Sequence, residues 1–269
     1  MVSIIGLGFV GSAMFKSFKL NNVDVIGYDK FKDGGIGTFE EILTKKICFL
    51  CLPTLFDEIK NKYNKDAIYK TCERLERNYY NGLVVIKSTI EPETTENLSE
   101  KYPNLKICHN PEFLSAKTAF NDFHNQKHIV LGQGTNCDEI DMEQLSQFYK
   151  TYYPDAKISI CLSLESESMK IMCNSFYASK IMLFNEYYLL CQKNGSDFNI
   201  IRDLMLKNSW INKMHTDVPG QDGLLGYGGA CFPKDMEALY NYMKTFHIKS
   251  QVLKSIIDMN NKIRQKPKQ

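Results

Sequence analysis

The sequence predicts an α/β fold in which a doubly wound, mostly parallel sheet is followed by an α-helical domain built on a long connecting helix. Three features of the 269 residues support this fold class. Apolar runs alternate with helical patterns up to residue 162, a glycine-rich turn follows the first apolar run, and a long helical pattern begins near Leu164. We therefore expect one domain over residues 1–162 and a second over residues 163–269.

The hydrophobic periodicity predicts the elements of the first domain in order. Buried strands are expected near residues 2–6, 23–28, 46–52, 82–88, 105–109 and 128–132, with a further strand at 156–162. Helices are expected near residues 10–20, 57–79 and 93–101. A sheet of this kind binds its ligands at the carboxyl ends of its strands, so the residues that follow the strands are the first candidates for a site.

The second domain is expected to be helical. A helical pattern runs from about Leu164 to Asn194, and Gly195 follows it as a C-cap would. Within this helix Lys170 and Asn174 are four residues apart and therefore share one face. The remaining residues, 197–269, predict short helices around a loop that contains a cysteine.

The turn after the first strand has the pattern GLGFVG, from Gly6 to Gly11. Gly6 allows the tight turn, Gly8 lets a pyrophosphate approach the backbone at the helix N-terminus, and Gly11 allows the helix to pack against the strand. Phe9 and Val10 complete the turn. Because a strand precedes it and a helix follows it, this pattern predicts a Rossmann-type dinucleotide site.

Asp29 ends the second predicted strand, close to the spacing from the glycines that such sites require. Its carboxylate can accept hydrogen bonds from a ribose diol and repels a 2′-phosphate, so NAD is favoured over NADP. Lys30 lies beside it and is a cation, which keeps NADP open as an alternative.

Composition and charge indicate a cytoplasmic globular enzyme. A formal net charge of +2, with 43% hydrophobic and 24% charged residues, predicts no attraction to nucleic acid. We find no targeting signal and no apolar stretch of membrane-spanning length, so no membrane partner is expected. The nine cysteines have no paired spacings, which indicates free thiols in a reducing compartment.

Two cysteine patterns are interpreted as structural. Cys48 and Cys51 match C-x-x-C, but they lie in a buried apolar run, whereas the redox motif needs a helix N-terminus to stabilise its thiolate. Cys108 and His109 are adjacent without a second pair at metal-ligand spacing, so no metal site is expected.

Candidate reactive groups follow three of the predicted strands, at Pro53-Thr54, Lys87-Ser-Thr89 and His109-Asn-Pro-Glu112. The ten residues from Gly226 to Asp235 (GYGGACFPKD) are the most informative in the chain. They hold a cysteine among small residues with a lysine and a carboxylate just beyond it, and a nearby cation favours the thiolate that attacks a carbonyl. The alternative is a buried cysteine in a glycine turn, because most cysteines are small core residues.

Taken in order along the chain, these motifs resemble the nucleotide-sugar dehydrogenases, and among them the UDP-glucose dehydrogenases. Gly6–Gly11 resembles the cofactor turn of that family, Lys87–Thr89 its nicotinamide-side strand end, and Asn110–Leu114 its substrate loop. The stretch from Lys170 to Glu186 resembles its central helix. Gly226–Asp235 resembles its nucleophile loop, which is the most specific of these motifs.

The resemblance implies a double oxidation of a sugar C6 alcohol to a carboxylate, with two NAD and a nucleotide sugar such as UDP-glucose. Asp235 would be the base for the first oxidation, directly or through water, and Lys170 would stabilise the alkoxide. Cys231 would attack the resulting aldehyde, and Lys170 with Asn174 would hold the oxyanion. The thioester formed by the second oxidation would then be hydrolysed by water that Glu112 activates or positions.

The same resemblance implies that Thr89 helps to order this water, and it assigns the binding contacts and a homodimer through the central helices. The cofactor contacts would come from Gly6, Gly8, Phe9, Val10, Gly11, Asp29, Lys30, Pro53, Thr54, Ser88, Thr89 and Lys234. The substrate contacts would come from Glu112, Phe113, Leu114, Lys170, Asn174, Tyr227, Gly228 and Gly229.

The chain departs from the family pattern in three places. Ala116 stands where the family usually has a second acid, and Pro92 falls one position late because Glu91 precedes it. The family also continues into a second nucleotide-binding-like domain beyond the region that this chain resembles. The alternatives are therefore a catalytically incomplete NAD-binding remnant or partner subunit that needs another chain, or a dehydrogenase for a different nucleotide sugar.

Overall fold

The computed structural model of the chain describes residues 1–32 and 37–264. They form two compact units. Unit 1 comprises Met1–Leu55 and Tyr63–Lys170, and unit 2 comprises Phe56–Lys62 and the chain from Ile171 onward. This division falls inside one long helix, whereas the domain boundary expected after residue 162 lies at the start of that helix.

Nine strands are present in the part of the chain that the structure describes. They are β1 (Val2–Ile5), β2 (Val25–Tyr28), β3 (Ile47–Leu50), β4 (Phe56–Asp57), β5 (Lys62–Tyr63), β6 (Leu83–Ile86), β7 (Lys106–His109), β8 (His128–Gln133) and β9 (Lys157–Leu162). Seven of them form one sheet in the order β2-β1-β3-β6-β7-β8-β9, and β4 pairs with β5. All pairs of the large sheet are parallel except β7 with β8. The predicted doubly wound, mostly parallel sheet is confirmed.

The helices follow the strands in alternation through unit 1 and then dominate. They are α1 (Phe9–Leu20), α2 (Phe39–Ile42), α3 (Asp66–Arg77), α4 (Thr94–Lys101), α5 (Ala119–His124), α6 (Glu139–Tyr152), α7 (Ser163–Asn194), α8 (Phe198–Lys207), α9 (Phe232–Thr245) and α10 (Gln251–Arg264). No helix among the described residues is long and apolar enough to cross a bilayer.

Alternate side chains of the strands enter two separate cores, as the two-residue period of a strand requires. Ile4 and Phe49 belong to one apolar cluster, and Ile5 and Cys48, their neighbours in the chain, belong to the other. All four side chains are at most 4% exposed. Strands β1 and β3 are therefore buried on both faces, which is why each is a continuous apolar run in the sequence.

The helix expected over residues 57–79 is wrong in its first part. Residues 56–63 form the hairpin of β4 and β5, and α3 begins only at Asp66. Local turn chemistry explains the difference, because Asp57 Oδ1 accepts hydrogen bonds from the backbone of Ile59 and Lys60, both at 3.0 Å, and Asn61 has a φ of 52°. These bonds give the backbone an alternative to helix.

Helix α7 has 32 residues and ends where the sequence predicts. Gly195 follows it with a φ of 77°, and its backbone N–H donates to the Cys191 carbonyl at 3.0 Å. This left-handed conformation favours glycine, so the residue acts as the expected C-cap. Within unit 2, α7 packs against α9 and α10 through a cluster that includes Met182, Met236 and Ile257.

Candidate functional site

The glycine turn lies between β1 and α1 in unit 1. Gly6 has a φ of 90°, and a Cβ there would lie 2.4 Å from the Cys51 carbonyl oxygen. A Cβ on Gly11 would lie 1.9 Å from the Gly6 carbonyl oxygen, so the helix approaches the strand closely only because this residue has no side chain. A Cβ on Gly8 would meet nothing within 4 Å. Gly8 therefore leaves a cradle at the N-terminus of α1, which fits the pyrophosphate of a dinucleotide.

Asp29 links the end of β2 to this turn. Its Oδ2 accepts from the Leu7 backbone at 2.8 Å, and its Oδ1 accepts from the Phe31 backbone at 3.0 Å. An open groove of about 880 Å³ begins here and is lined in part by Asp29, Lys30 and Arg74. The guanidinium of Arg74 lies 3.5 Å from the ring centroid of Phe39, so the groove has a stacked, positively charged wall beside the acid.

Two further cofactor candidates join the ends of β3 and β6. Ser88 Oγ donates to the Leu52 carbonyl at 2.6 Å and accepts from the Leu52 N–H at 2.9 Å. Thr54 Oγ1 donates to the Thr89 carbonyl at 2.7 Å. These bonds fix the segments that carry Pro53 and Thr89 at the carboxyl edge of the parallel strands, beside the glycine turn after β1. Phe9 in that turn is exposed, and Val10 is half-buried.

The substrate-loop candidates of unit 1 form a buried ion pair. Lys170 Nζ lies 3.3 Å from Glu112 Oε1, and the two side chains are 4% and 8% exposed. The Leu114 backbone donates to Glu112 Oε2 at 2.6 Å, so both carboxylate oxygens have partners. The ring of Phe113 lies 5.2 Å from Lys170 Nζ. The structure thus brings together two of the predicted site residues, Glu112 and Lys170.

A buried lysine lies beneath this loop, and it is the first residue of the candidate strand end Lys87–Thr89. Lys87 is 1% exposed, and its Nζ donates to Asn110 Oδ1 at 3.0 Å and to the Pro111 carbonyl at 3.3 Å. Asn110 Oδ1 also accepts from Tyr149 Oη at 2.6 Å. Burial lowers the pKa of Lys87 to about 8. The signal in the sequence is a charged residue directly after an apolar strand, LVVIK.

In unit 2, the candidates converge on the start of α9. Cys231 is the N-cap residue of this helix, and Pro233 lies in its first turn, where proline is favoured. Asp235 is fully buried one turn further on. Its Oδ2 accepts from Asn174 Nδ2, and its Oδ1 accepts from Lys234 Nζ, each at 2.5 Å. A helix N-terminus favours negative charge, which suits a thiolate at Cys231.

The glycine loop before this helix contains Tyr227, Gly228 and Gly229, three of the expected substrate contacts. A Cβ on Gly229 would meet nothing within 4 Å, so the loop leaves space there, whereas one on Gly228 would lie 2.3 Å from Arg264 Nη1. Tyr227 is 3% exposed, and its ring belongs to the apolar cluster of α7, α9 and α10. The Tyr227 ring is therefore part of the core, and the expected contact between Tyr227 and substrate stays a prediction.

Of the cysteines interpreted as structural, Cys48 and Cys108 are buried and Cys51 is half-buried. Cys48 and Cys51 are not joined in a disulfide, and burial raises the pKa of each to about 12. Such thiols are poor nucleophiles at neutral pH, which agrees with core residues rather than a redox pair.

Burial also lowers the pKa of His109 to about 3. In residues 1–32 and 37–264 there is no group of three or more His, Cys, Asp or Glu that could hold a metal.

The displaced proline of the Ser88-Thr89 segment has a structural explanation. The extra residue, Glu91, is buried and pairs with Lys65 at 2.6 Å. It also accepts a hydrogen bond from the Tyr63 backbone. Glu91 therefore ties the segment before α4 to the segment before α3. Ala116, at the position of the missing acid, is exposed.

These features define the class of protein, a doubly wound α/β protein with a Rossmann-type nucleotide-binding turn. Residues 36–153 match the NAD binding domain of the UDP-glucose/GDP-mannose dehydrogenase family, and residues 164–262 match its central domain. The chain belongs to the UDP-glucose/GDP-mannose dehydrogenase family, and NAD is the cofactor of its first domain.

Named relatives agree with this assignment. The chain is 35% identical over 207 residues to UDP-glucose 6-dehydrogenase of Rickettsia felis, covering 74% of this chain and 43% of that protein. It is 29% identical over 308 residues to UDP-glucose 6-dehydrogenase AglM of Haloferax volcanii, covering 97% of this chain and 69% of the relative. The chain thus spans less than half the length of the Rickettsia felis protein.

Solved structures share the fold. A UDP-glucose dehydrogenase from Pyrobaculum islandicum superposes with a TM-score of 0.84 at 24% identity, covering 97% of this chain and 68% of that one. A UDP-D-ManNAc dehydrogenase from Pyrococcus horikoshii gives 0.80 at 19% identity, with the same coverage. Because two enzymes named for different sugars fit the chain almost equally well, the fold does not select the sugar.

Proposed function

We propose that the protein is an NAD-dependent nucleotide-sugar dehydrogenase that oxidises the C6 alcohol of UDP-glucose to a carboxylate through a covalent intermediate on Cys231. The observation that carries the proposal is the start of α9, where Cys231 is the N-cap residue and the buried Asp235 accepts from Asn174 at 2.5 Å. UDP-glucose is proposed as the sugar because the Rickettsia felis and Haloferax volcanii relatives are both named for it.

Bound NAD would accept a hydride in each of the two oxidations. In the first, Asp235 takes the proton of the C6 hydroxyl, directly or through water, and Lys170 stabilises the negative oxygen. The buried ion pair of Lys170 with Glu112 keeps this cation in place before substrate arrives. The alcohol loses a hydride and a proton and becomes an aldehyde.

In the second oxidation the Cys231 thiolate adds to the aldehyde carbon and forms a C–S bond. Lys170 and Asn174 stabilise the oxyanion, and loss of the second hydride gives a thioester. Glu112 then activates or positions water, which Thr89 helps to order, and the C–S bond breaks to release the carboxylate and the thiol. The covalent bond also prevents the aldehyde from leaving between the two oxidations.

The proposal includes a homodimer and leaves room for other sugars. Helix α7 exposes large apolar side chains, namely Met172, Phe176, Leu183 and Leu190. A second copy of the chain could cover them, as the resemblance of this helix to the family's central helix implies.

UDP-N-acetylmannosamine and GDP-mannose are the alternative substrates that the family membership keeps open.

The test is to mix purified protein with NAD and UDP-glucose and to count the NADH formed per sugar consumed. We expect two NADH per sugar, and we expect Cys231→Ser to stop turnover after the aldehyde, so that at most one NADH forms. Cys161→Ser is the matched control, because Cys161 is half-buried on β9 and has no assigned role.

One result would contradict the proposal of a stand-alone enzyme. That result is measurable NAD binding without NADH formation from UDP-glucose, UDP-N-acetylmannosamine or GDP-mannose. It would favour the alternative in which the chain binds the cofactor but needs another polypeptide for catalysis. Binding of NAD that is indifferent to Cys231→Ser would accompany that outcome.

A further inference from the structure

Two buried asparagines hold the loop that leads to Cys231. Asn185 on α7 is 1% exposed, and its Oδ1 accepts from the Gly226 backbone at 2.8 Å. Asn260 on α10 is 4% exposed, and its Oδ1 accepts from the Tyr227 backbone at 2.8 Å. Two consecutive backbone donors of one loop are thus satisfied by side chains from two different helices, all within unit 2. We call Asn185 and Asn260 the asparagine clamp.

The side-chain orientation of Asn185 is itself fixed. Asn185 Nδ2 donates to the Ile181 carbonyl at 2.8 Å, one turn earlier on α7, so its oxygen must face the loop. On α10, Arg264 Nη2 donates to the Gly226 carbonyl at 2.9 Å, and its Nη1 donates to Asp222 Oδ2 at 2.8 Å. Both the N–H and the C=O of Gly226 therefore have side-chain partners.

Glycine is required where the clamp meets the loop. Gly226 has a φ of 73°, in the left-handed region, and a Cβ there would lie 2.4 Å from Asn260 Oδ1. The next residue, Tyr227, places its ring in the core with Met182, Met236 and Ile257. The backbone is thus fixed by the clamp on one side and by a buried ring on the other.

Cys231 follows this fixed point by four residues and is itself the N-cap of α9. Met236 of α9 belongs to the same apolar cluster as Tyr227, so the segment with the cysteine is held at both ends within one core. We propose that Asn185 and Asn260 are positioning residues that hold Cys231 where it can attack the aldehyde, a role that rests on the proposed function.

This role separates the two oxidations. The first needs a base and no nucleophile, whereas the second begins with attack by the Cys231 thiolate. A misplacement of about 1 Å can lower a rate roughly 100-fold. Loss of the clamp should therefore slow the second oxidation more than the first, so that NADH per sugar falls from two towards one and the sugar aldehyde accumulates.

The experiment uses the full-length chain with Asn185→Leu and Asn260→Leu, each of which removes one acceptor at similar side-chain size. Asn260→Asp keeps an oxygen acceptor for the Tyr227 N–H, so this variant should form as many NADH per sugar as wild type. Gly226→Ala disturbs the same contact from the loop side, because its Cβ would meet Asn260 Oδ1. This variant replaces a leucine variant that does not fold. The control is Asn241→Leu, since Asn241 is half-buried and its side chain donates to the Glu237 carbonyl within α9.

Two measurements are made on each folded variant: NADH and aldehyde per sugar, and amide hydrogen exchange of residues 225–231. We expect the leucine variants to release aldehyde and to exchange about fivefold faster in this segment, because each variant removes one acceptor of a backbone amide there, and such a hydrogen bond contributes about 1 kcal/mol. The control and Asn260→Asp should behave as wild type.

The outcomes separate the clamp from the proposed function. If wild type forms two NADH per sugar and the leucine variants do the same at the wild-type rate, the clamp proposal is overturned and the proposed function stands. If wild type forms no NADH, the proposed function fails, and hydrogen exchange alone judges the clamp. Unchanged exchange in the leucine variants would then overturn it, and faster exchange confined to residues 225–231 would support it.

Discussion

Glu167 is a fully buried carboxylate in the second turn of α7, close to the Lys170 of the candidate site. Its Oε1 accepts from the Thr95 backbone at 2.8 Å and from Thr95 Oγ1 at 2.5 Å, at the N-terminus of α4. Glu167, Thr95 and α4 all belong to unit 1. Glu167 therefore fixes the first part of α7 from which Lys170 projects. Burial raises the pKa of Glu167 to about 7.

The raised pKa predicts a specific pH dependence of stability. The folded protein holds the Glu167 proton more tightly than the unfolded chain, so protonation of Glu167 raises the free energy of unfolding. This contribution is complete below pH 4.5 and is lost as pH rises to about 7. Glu167→Gln does not titrate. Relative to wild type, we expect it to gain on the order of 2–3 kcal/mol in unfolding free energy across that window. Urea unfolding at pH 5 and pH 7.5 measures the change.

The control for this prediction is Glu165→Gln, which changes an exposed glutamate on the same helix. It should keep the pH dependence of wild type. An equal slope of unfolding free energy with pH in wild type and Glu167→Gln would show that Glu167 has the same proton affinity in the folded and unfolded chain, against this prediction.

At the scale of the element, glycine has two different roles in the turn between β1 and α1: Gly11 allows close packing, and Gly8 leaves open space. Gly11→Ala would place a Cβ 1.9 Å from a backbone oxygen, whereas Gly8→Ala would meet nothing within 4 Å. We expect Gly11→Ala to lower the unfolding free energy by about 3 kcal/mol. Gly8→Ala should change it by less than about 0.5 kcal/mol.

Gly8→Ala should nevertheless weaken NAD binding at least about tenfold, because the new methyl group occupies the space through which the pyrophosphate approaches the backbone. Urea unfolding and a fluorescence titration with NADH measure the two effects on the same samples. Unchanged NADH affinity in a fully folded Gly8→Ala protein would mean that the pyrophosphate does not approach this glycine.

The elements that the sequence predicts well are those with strong local patterns. Strands β1, β3 and β6 are buried on both faces, so each appears as an apolar run that no helix period explains. The end of α7 follows from Gly195, which needs its left-handed φ. The start of α3 was misplaced, because Asp57 and Asn61 favour a turn over helix through side-chain and backbone effects that the apolar pattern does not contain.

At the scale of the whole molecule, the glycine turn, Asp29 and the ends of β3 and β6 all belong to unit 1. A ligand that binds only the folded state stabilises it by about 2.7 kcal/mol at 100 times its dissociation constant. At that concentration of NAD we expect slower amide exchange in β1, β3 and α1. Hydrogen exchange with mass spectrometry measures it, and Gly8→Ala at the same NAD concentration is the control. Binding of NAD without protection of these elements would place the cofactor elsewhere.

Much of the candidate site was predictable because its residues stand in contiguous motifs. Glu112 and Lys170 were both predicted, and the structure pairs them at 3.3 Å. Asn185 and Asn260 were not named as site residues. Each acts through a partner that is distant in the chain, and a buried polar side chain has no local sequence pattern that reveals such a partner. The burial of the Tyr227 ring was not foreseen for the same reason, since only packing reveals that it is in the core.

The sequence by itself determined the α/β fold class, the NAD-binding turn and the family, because glycine conformation, strand periodicity and ordered motifs are local properties of the chain. The tertiary structure alone decided which polar groups are buried and what they bond to. It brought Asn185 and Asn260, from helices far apart in the chain, onto consecutive residues of the cysteine loop. Such pairings depend on how helices pack, and helix packing is set by the whole core rather than by any one segment.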